Sequence, residues 1–233
     1  MRTKLVFGTI TLLGLAGVAF GYQWVRQSQK GEPLIETFES ETPPAEVQRA
    51  AEEGLPQFVQ GLTFDELALE SYGIKNLEEA QSATLGRAYP LYTVSDLTQL
   101  ADYSPGQRAS VLITPTQTWY FAVLIDNESR VDLTVSWHEN RWQAAGIGGS
   151  LSKELDNIES ITAEGSFKLV KIPPLNAVFV FLECANEESI IPLTPTGWFN
   201  LEKGKLYPAE EVLLNLAEEA KKTTEEPPDL TEQ

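Results

Sequence analysis

The strongest constraint on the fold is a run of strand-like segments between residues 111 and 146. Apolar and polar residues alternate through 130–137, and a strand turns successive side chains to opposite faces, so this segment predicts a half-solvated strand. Short connections at 126–129 and 139–140 predict that neighbouring segments run antiparallel. The four predicted strands of this run are 111–114, 118–125, 130–137 and 141–146.

Two further patterns place strands relative to one another. The segment 118–125 is apolar on both faces, which predicts a central strand with helices covering one side. The segment 88–94 is rich in strand-forming residues, but Pro90 lacks a backbone N–H and predicts an edge position or a bulge. Two more strands are predicted near the C-terminus, at 167–172 and 177–184.

Helical periodicity marks three segments. A helix is predicted over 46–53, where Gly54 and Pro56 are expected to end or bend it. An amphipathic helix over 150–162 and a last helix from Pro208 present apolar faces. The expected buried residues of these two helices are Leu151, Leu155, Ile158, Val212, Leu213, Leu216 and Ala220.

Together these elements predict an α+β fold. It would have an N-terminal apolar helix, then helices packed on an antiparallel sheet of four or more strands, with a smaller C-terminal strand-and-helix region. The predicted organisation is a signal or anchor segment at 1–26, a flexible linker at 27–44, a helix-plus-sheet domain at 45–163, a strand-and-helix region at 164–222 and a disordered acidic tail at 223–233.

The N-terminal segment has the layout of an export signal. Arg2 and Lys4 precede a stretch from Leu5 to Val25 that has no charged residue. A retained single-pass anchor with its N-terminus inside and a signal cleaved near Gly21 are both compatible with this length. Either outcome places the rest of the chain on the extracytoplasmic side of the cytoplasmic membrane, as an anchored or a secreted or periplasmic protein.

The charge of the chain excludes one class of partner. It has 34 acidic and 17 basic residues, a net charge of −17, and the first 30 residues hold four of the bases and none of the acids. The remainder, with 13 basic residues, carries about −21 and repels phosphate backbones. Nucleic-acid binding is therefore not expected, while high negative charge keeps such a domain dispersed or attracts a cationic partner.

Few residues in the sequence are candidates for chemistry. His138, the single histidine, is expected on a solvated strand face, and Cys184, the single cysteine, is expected to face the core. The loop 146–150 follows a strand and opens a helix, which is the context of an anion site, but a turn capped by Ser150 or Ser152 explains it equally. No catalytic residue, cofactor or metal ligand is predicted.

Large aromatic residues are the remaining candidates for a binding surface. Core filling explains aromatic residues at sheet positions, and the alternative is a groove that binds a peptide, a glycan or a lipid. The candidates for such a groove are Trp119, Tyr120, Trp137, Trp142 and Trp198.

Several motifs resemble a family of uncharacterised exported bacterial proteins of unknown function, over residues 55 to 161. The matching segments are 85–94, 103–106, 118–123, 130–135 and 142–148. The family pattern usually has proline where this chain has Ala122. The resemblance implies export and a helix-plus-sheet domain, and it implies no activity.

These observations predict a non-enzymatic binding or scaffolding protein of the bacterial cell envelope. Its partners would be the membrane, through the N-terminal segment, and another protein or an envelope component. The alternative is a cell-envelope hydrolase whose carboxylates come together only in the fold.

Overall fold

The computed structural model describes residues 42–62, 69–70, 72–159, 166–184, 187–194 and 201–225. The α-helices of this part of the chain are α1 (Ala45–Leu62), α2 (Leu77–Gln81), α3 (Leu97–Ala101), α4 (Leu151–Glu159) and α5 (Ala209–Glu225). Its strands are β1 (Thr84–Val94), β2 (Ile113–Ile125), β3 (Glu128–His138), β4 (Arg141–Ile147), β5 (Ser166–Ile172), β6 (Ala177–Cys184), β7 (Glu187–Pro192) and β8 (Tyr207–Pro208).

All eight strands form one sheet in the order β4-β3-β2-β1-β5-β6-β7-β8. Every neighbouring pair is antiparallel except β1 and β5, which are parallel. The prediction of a mixed fold with an antiparallel sheet of at least four strands is confirmed. The strands after residue 164 extend the same sheet.

Some predictions fall on residues outside the described part. The N-terminal apolar segment and the linker up to residue 41 lie there, as does the acidic tail from residue 226 onward. The tail prediction also began too early, because α5 extends to Glu225. Among the described residues, none of the helices is both long enough and apolar enough to span a membrane.

Two-residue turns set the register of the β2–β3–β4 meander. Asp126 and Asn127 connect β2 to β3, while Glu139 and Asn140 connect β3 to β4, and all four have positive φ angles between 50° and 61°. Positive φ at both central positions matches the type I′ turn, whose twist suits a tight hairpin. The predicted connection 126–129 is shorter in the structure because β3 already begins at Glu128.

Strand β2 corrects one prediction. Residues 109–112 form a short 3₁₀ helix, and a single strand runs from Ile113 to Ile125, so the separate strand at 111–114 is wrong. Pairing of β2 with β3 begins only at Thr118, so the earlier residues of β2 pair with β1 on one side and with no described strand on the other. Pro115 is tolerated there because its missing N–H is not needed for a second ladder.

The position of strand β1 in the sheet decides between the two predictions made for Pro90, an edge position or a bulge. It lies inside the sheet between β2 and β5, so the edge position is wrong. The irregularity is confirmed, because the β1–β2 register shifts between Pro90 and Tyr92.

Helices cover both faces of the sheet, whereas the sequence predicted helices on one side of the strand 118–125. Phe121 and Leu133 pack with α1 on one face, and Phe179 packs with α5 on that same face. Tyr89 and Val180 point the opposite way and pack with α4. The predicted apolar faces of α4 and α5 are confirmed at Leu155, Ile158, Val212, Leu213, Leu216 and Ala220, which are buried, whereas the predicted Leu151 is half-buried.

Helix α1 continues through both residues that were expected to end or bend it. Pro56 is exposed, and so is Glu52, whose carbonyl loses its i+4 donor, so that group can be hydrated. Gly54 is buried against β4, where a Cβ built on it would lie 2.2 Å from the Cβ of Ala144. The glycine therefore permits close packing of helix and strand, and it does not end the helix.

Candidate functional site

The structure separates the five aromatic candidates. Trp119 is buried beneath α1, whereas Tyr120, its neighbour in β2, lies on the opposite face beside the apolar cluster of α4. Trp198 lies outside the described residues. Of the four candidates that the structure describes, only Trp137 and Trp142 come together at the protein surface, and these two form the candidate site.

Trp137 and Trp142 are direct cross-strand partners next to the β3–β4 turn. Their ring centroids are 5.6 Å apart and their planes are inclined by 71°, an edge-to-face arrangement that aromatic pairs favour. Trp137 remains 37% exposed. The two-residue turn produces this pairing, because it places His138 opposite Arg141 and so Trp137 opposite Trp142.

A groove of about 340 Å³ lies between this tryptophan pair and helix α1. Glu46, Arg49, Ala50 and Glu53 contribute from the helix, where their i, i+3, i+4 and i+7 spacing puts them on one stripe. We call this feature the tryptophan groove; its lining residues are Glu46, Arg49, Ala50, Glu53, Trp137, Asn140, Arg141 and Trp142.

The tryptophan groove has an aromatic wall with charges of both signs beside it. Two carboxylates and two guanidinium groups line it together with the indole rings. Such a surface can bind an apolar group and hydrogen-bond its polar neighbours. The helix residues were missed from sequence because about 90 positions separate α1 from the hairpin; the only signal was a stripe of charged residues at helical spacing.

Asp132 has a structural role that the sequence pattern did not suggest. Its Oδ2 accepts a hydrogen bond from the backbone N–H of Leu151 at 2.5 Å, and its Oδ1 accepts one from Ser152 at 3.1 Å. These bonds cap the first turn of α4. The prediction of a solvated β3 face is therefore wrong at Asp132, which is buried. The helix is capped by the carboxylate of Asp132, and not by Ser150 or Ser152 as predicted.

The environment of Asp132 disfavours its charged form. Burial raises the pKa of Asp132, hydrogen bonds from Ser152 and Leu151 oppose that shift, and the nearby carboxylate of Asp156 adds to it. The net pKa lies above the ordinary value. Asp156 is itself held by the hydroxyl of Ser129, which donates to its Oδ2 at 2.6 Å.

A second carboxylate cluster joins the 3₁₀ helix to the β6–β7 hairpin. Glu188 accepts hydrogen bonds from the backbone N–H groups of Ala109 and Ser110, at 2.5 and 3.2 Å, and from Arg108 at 3.2 Å. Arg108 also pairs with Glu183. Burial alone would raise the pKa of Glu188, but these bonds together hold it below its ordinary value. The carboxylate is thus a structural anchor between two loops.

The histidine and the cysteine lack the geometry of catalytic groups. His138 is exposed, as predicted, and its Nε2 lies 3.7 Å from Glu139 Oε1, beyond hydrogen-bond distance. Cys184 is also exposed, so the prediction that it faces the core is wrong. It is the last residue of β6, and burial declines along the last three residues of that strand. The alternating sequence pattern therefore continues beyond the residues that other parts of the protein bury.

Within the part of the chain that the structure describes, no three His, Cys, Asp or Glu side chains are grouped so as to hold a metal ion. Comparisons with protein-family models, with curated proteins and with solved structures found no match to this chain.

Proposed function

We propose that this chain is an exported, membrane-anchored and non-enzymatic binding protein of the bacterial cell envelope, and that it binds its partner in the tryptophan groove. The N-terminal segment would anchor it with the N-terminus inside, or would release it if cleaved near Gly21. The observation that carries the binding role is the half-exposed Trp137 packed edge-to-face on Trp142 beside α1.

The tryptophan pair has the properties of a binding hot spot. Tryptophan is enriched among the interface residues that contribute most to affinity, because a large rigid ring buries much area at low entropic cost. Trp137 is one of four large hydrophobic residues that the described part of the chain leaves exposed. Its ring is already held by Trp142, so little ordering is needed when a ligand covers it.

The occupant that fits best is an extended segment of another envelope protein with an apolar anchor and basic flanks. The anchor would cover the exposed ring of Trp137, and the basic flanks would pair with Glu46 and Glu53. At longer range, the net charge of −17 attracts a cationic partner and speeds its encounter. Arg49 and Arg141 would bind backbone carbonyls or an acidic residue of the segment.

The hydrolase alternative has less support. The buried carboxylate of Asp132 is occupied by two backbone N–H groups of α4, and the neighbouring Asp156 accepts from Ser129. Both carboxylates are therefore already hydrogen-bonded within the fold, whereas a general acid or base must be able to reach the substrate. This arrangement favours a structural role for the pair and supports binding over catalysis.

Site-specific photocrosslinking in native membranes tests the groove. A benzophenone amino acid at Arg49 or Asn140, both lining the groove, is expected to capture one partner peptide, which mass spectrometry identifies. The same group at Leu206, exposed on another part of the fold, should not capture it. Equal capture from all three positions would contradict a specific site.

The captured sequence then serves as a synthetic probe for the full-length chain in detergent. Trp137→Ala is expected to weaken its binding about 30-fold, the effect of losing a hot-spot tryptophan worth about 2 kcal/mol. Leu206→Ala, which also removes an exposed apolar side chain, should leave affinity unchanged. Arg49→Ala provides a second groove variant outside the core, and unchanged affinity in both groove variants would refute the assignment.

Amino-terminal sequencing of the mature protein tests the export part of the proposal. We expect the intact N-terminus in the membrane fraction if the segment is an anchor. A start near Tyr22 together with a soluble product would show cleavage. A full-length protein confined to the cytoplasm would contradict export itself.

A further inference from the structure

A second cleft of about 340 Å³ lies beside the start of α4 and next to β3. We call it the basic cleft; its lining residues are Tyr72, Gly73, Ser129, Arg130, Gly149, Ser150 and Lys153. Two of them are cations, three carry hydroxyl groups and none is Asp or Glu. The chain as a whole has 34 acidic and 17 basic residues, so the positive charge of this cleft is opposite in sign to the net charge of the protein.

Arg130 has hydrogen-bonding capacity that its neighbours do not use. Its Nη2 lies 2.9 Å from Oε2 of Glu128, but that glutamate is 69% exposed, and ion pairs of this kind contribute little. The Nε of Arg130 is buried and has no hydrogen-bond partner among the described residues. Buried donors without partners are uncommon in folded proteins. The guanidinium thus lies in the cleft wall, and its ion-pair partner among the described residues is the exposed Glu128.

Lys153 is placed where it does not help its own helix. It lies in the first turn of α4, where the helix dipole disfavours a positive charge. It forms no ion pair with another residue of the described part of the chain. A lysine at this position therefore contributes to the potential of the cleft more than to the stability of α4.

The acids around the basic cleft have other roles. Asp132 approaches Gly149, but its oxygens accept from the amides of Leu151 and Ser152. Asp156 accepts from the hydroxyl of Ser129. Among the residues that the structure describes, Glu128 is the acid that forms an ion pair with Arg130.

We propose that the basic cleft binds an oxyanion, the phosphate or carboxylate group of a small molecule. Arg130 and Lys153 supply the opposite charge, and the hydroxyls of Tyr72 and Ser150 supply neutral donors. Gly73 and Gly149 have positive φ angles of 68° and 74° and no side chain, which leaves room for the ligand against the backbone. The amides of Leu151 and Ser152 take no part, because Asp132 already occupies them. This site is separate from the tryptophan groove and does not depend on its function.

Isothermal titration of the full-length chain in detergent tests the proposal, with inorganic phosphate and, separately, acetate as the probe at constant ionic strength. We expect saturable binding of at least one probe, and the preferred probe identifies the ligand group. Arg130→Gln and Lys153→Gln should each weaken it about tenfold, the loss of one charge-assisted contact. Lys205→Gln removes a lysine that does not line the cleft and should have no effect. The absence of saturation by both probes up to roughly ten millimolar would overturn the proposal, as would equal effects of the three variants.

A gain of affinity provides an independent arm that does not rely on removing a buried side chain. Glu128→Gln removes the acid that competes for Arg130, so we expect the preferred probe to bind several-fold more tightly. Glu139→Gln changes the net charge equally at another exposed glutamate, 72% exposed, and should have little effect. Identical behaviour of these two variants would show that Arg130 does not hold the anion.

Discussion

Gly54→Ala is expected to destabilise the protein by about 1–3 kcal/mol, although alanine is the better helix former. The added methyl would lie 2.2 Å from the Cβ of Ala144, a separation that real atoms do not adopt. Since the obstacle is the first side-chain atom of a strand residue, no rotamer change relieves it, and α1 must move away from β4. Urea unfolding monitored by circular dichroism measures the change in the free energy of unfolding.

Gly61→Ala is the matched control in the same helix. No described residue lies within 4 Å of a Cβ built at Gly61, so the substitution should stabilise α1 by up to about 1 kcal/mol. A double variant, Gly54→Ala with Ala144→Gly, removes the close contact and should recover much of the loss. If Gly54→Ala were as harmless as Gly61→Ala, the close packing of α1 on β4 would be wrong.

The same substitution links stability to the candidate binding surface. Glu46, Arg49, Ala50 and Glu53 precede Gly54 on α1 and form one side of the tryptophan groove. Displacement of the helix would widen the groove without changing any residue that lines it. We therefore expect Gly54→Ala to weaken partner binding as well, while Gly61→Ala leaves it unchanged.

Asp132→Ala is expected to cost about 2–3 kcal/mol in the free energy of unfolding. It removes both acceptors from the first turn of α4 and leaves the N–H groups of Leu151 and Ser152 without a partner at a buried site. Asp132→Asn keeps one acceptor oxygen and a similar volume, so its loss should be clearly smaller. Urea unfolding of the two variants beside the wild type provides the comparison, and equal losses would show that the cap is not the reason for the aspartate.

The raised pKa of Asp132 fixes the direction in which the stability of the wild type and of Asp132→Asn should differ with pH. The folded state raises the pKa of Asp132 above its ordinary value of 3.8, so it holds the proton more tightly than the unfolded chain. The contribution of this group to stability is fully present below 3.8 and is lost as the pH rises through the raised pKa. Asparagine does not titrate, so the stability of Asp132→Asn relative to wild type should improve as the pH rises above about 4. A difference that is constant with pH would contradict the raised pKa.

Local patterns predicted most of the elements in the described part of the chain. The alternation in β3, the pair Glu139–Asn140 and the apolar stripes of α4 and α5 each involve residues close in sequence. Steric and hydrogen-bonding rules act at that range, so a strand, a tight turn or an amphipathic helix can be inferred without knowing its neighbours. The errors at 111–114 and at Cys184 occurred where a pattern continued past the neighbours that cover or pair with it.

Long-range packing determined the candidate sites. Of the four predicted aromatic residues that the structure describes, Trp137 and Trp142 form the candidate site, because Trp119 lies beneath α1 and Tyr120 faces the opposite side. The partners of these tryptophans come from α1, and the residues of the basic cleft come from three separate segments, 72–73, 129–130 and 149–153. Neither grouping follows from spacing along the chain.

By itself, the sequence determined the acidic character of this protein, the α+β class and the antiparallel hairpins of its central meander. Only the tertiary structure decided that β5 continues the sheet through β1, that Gly54 is a packing residue and that Asp132 on a polar strand face is a buried helix cap. The physical reason is that charge, periodicity and turn chemistry act over a few residues. Burial and hydrogen-bond partners depend instead on which segments, distant in sequence, pack against each other in the fold.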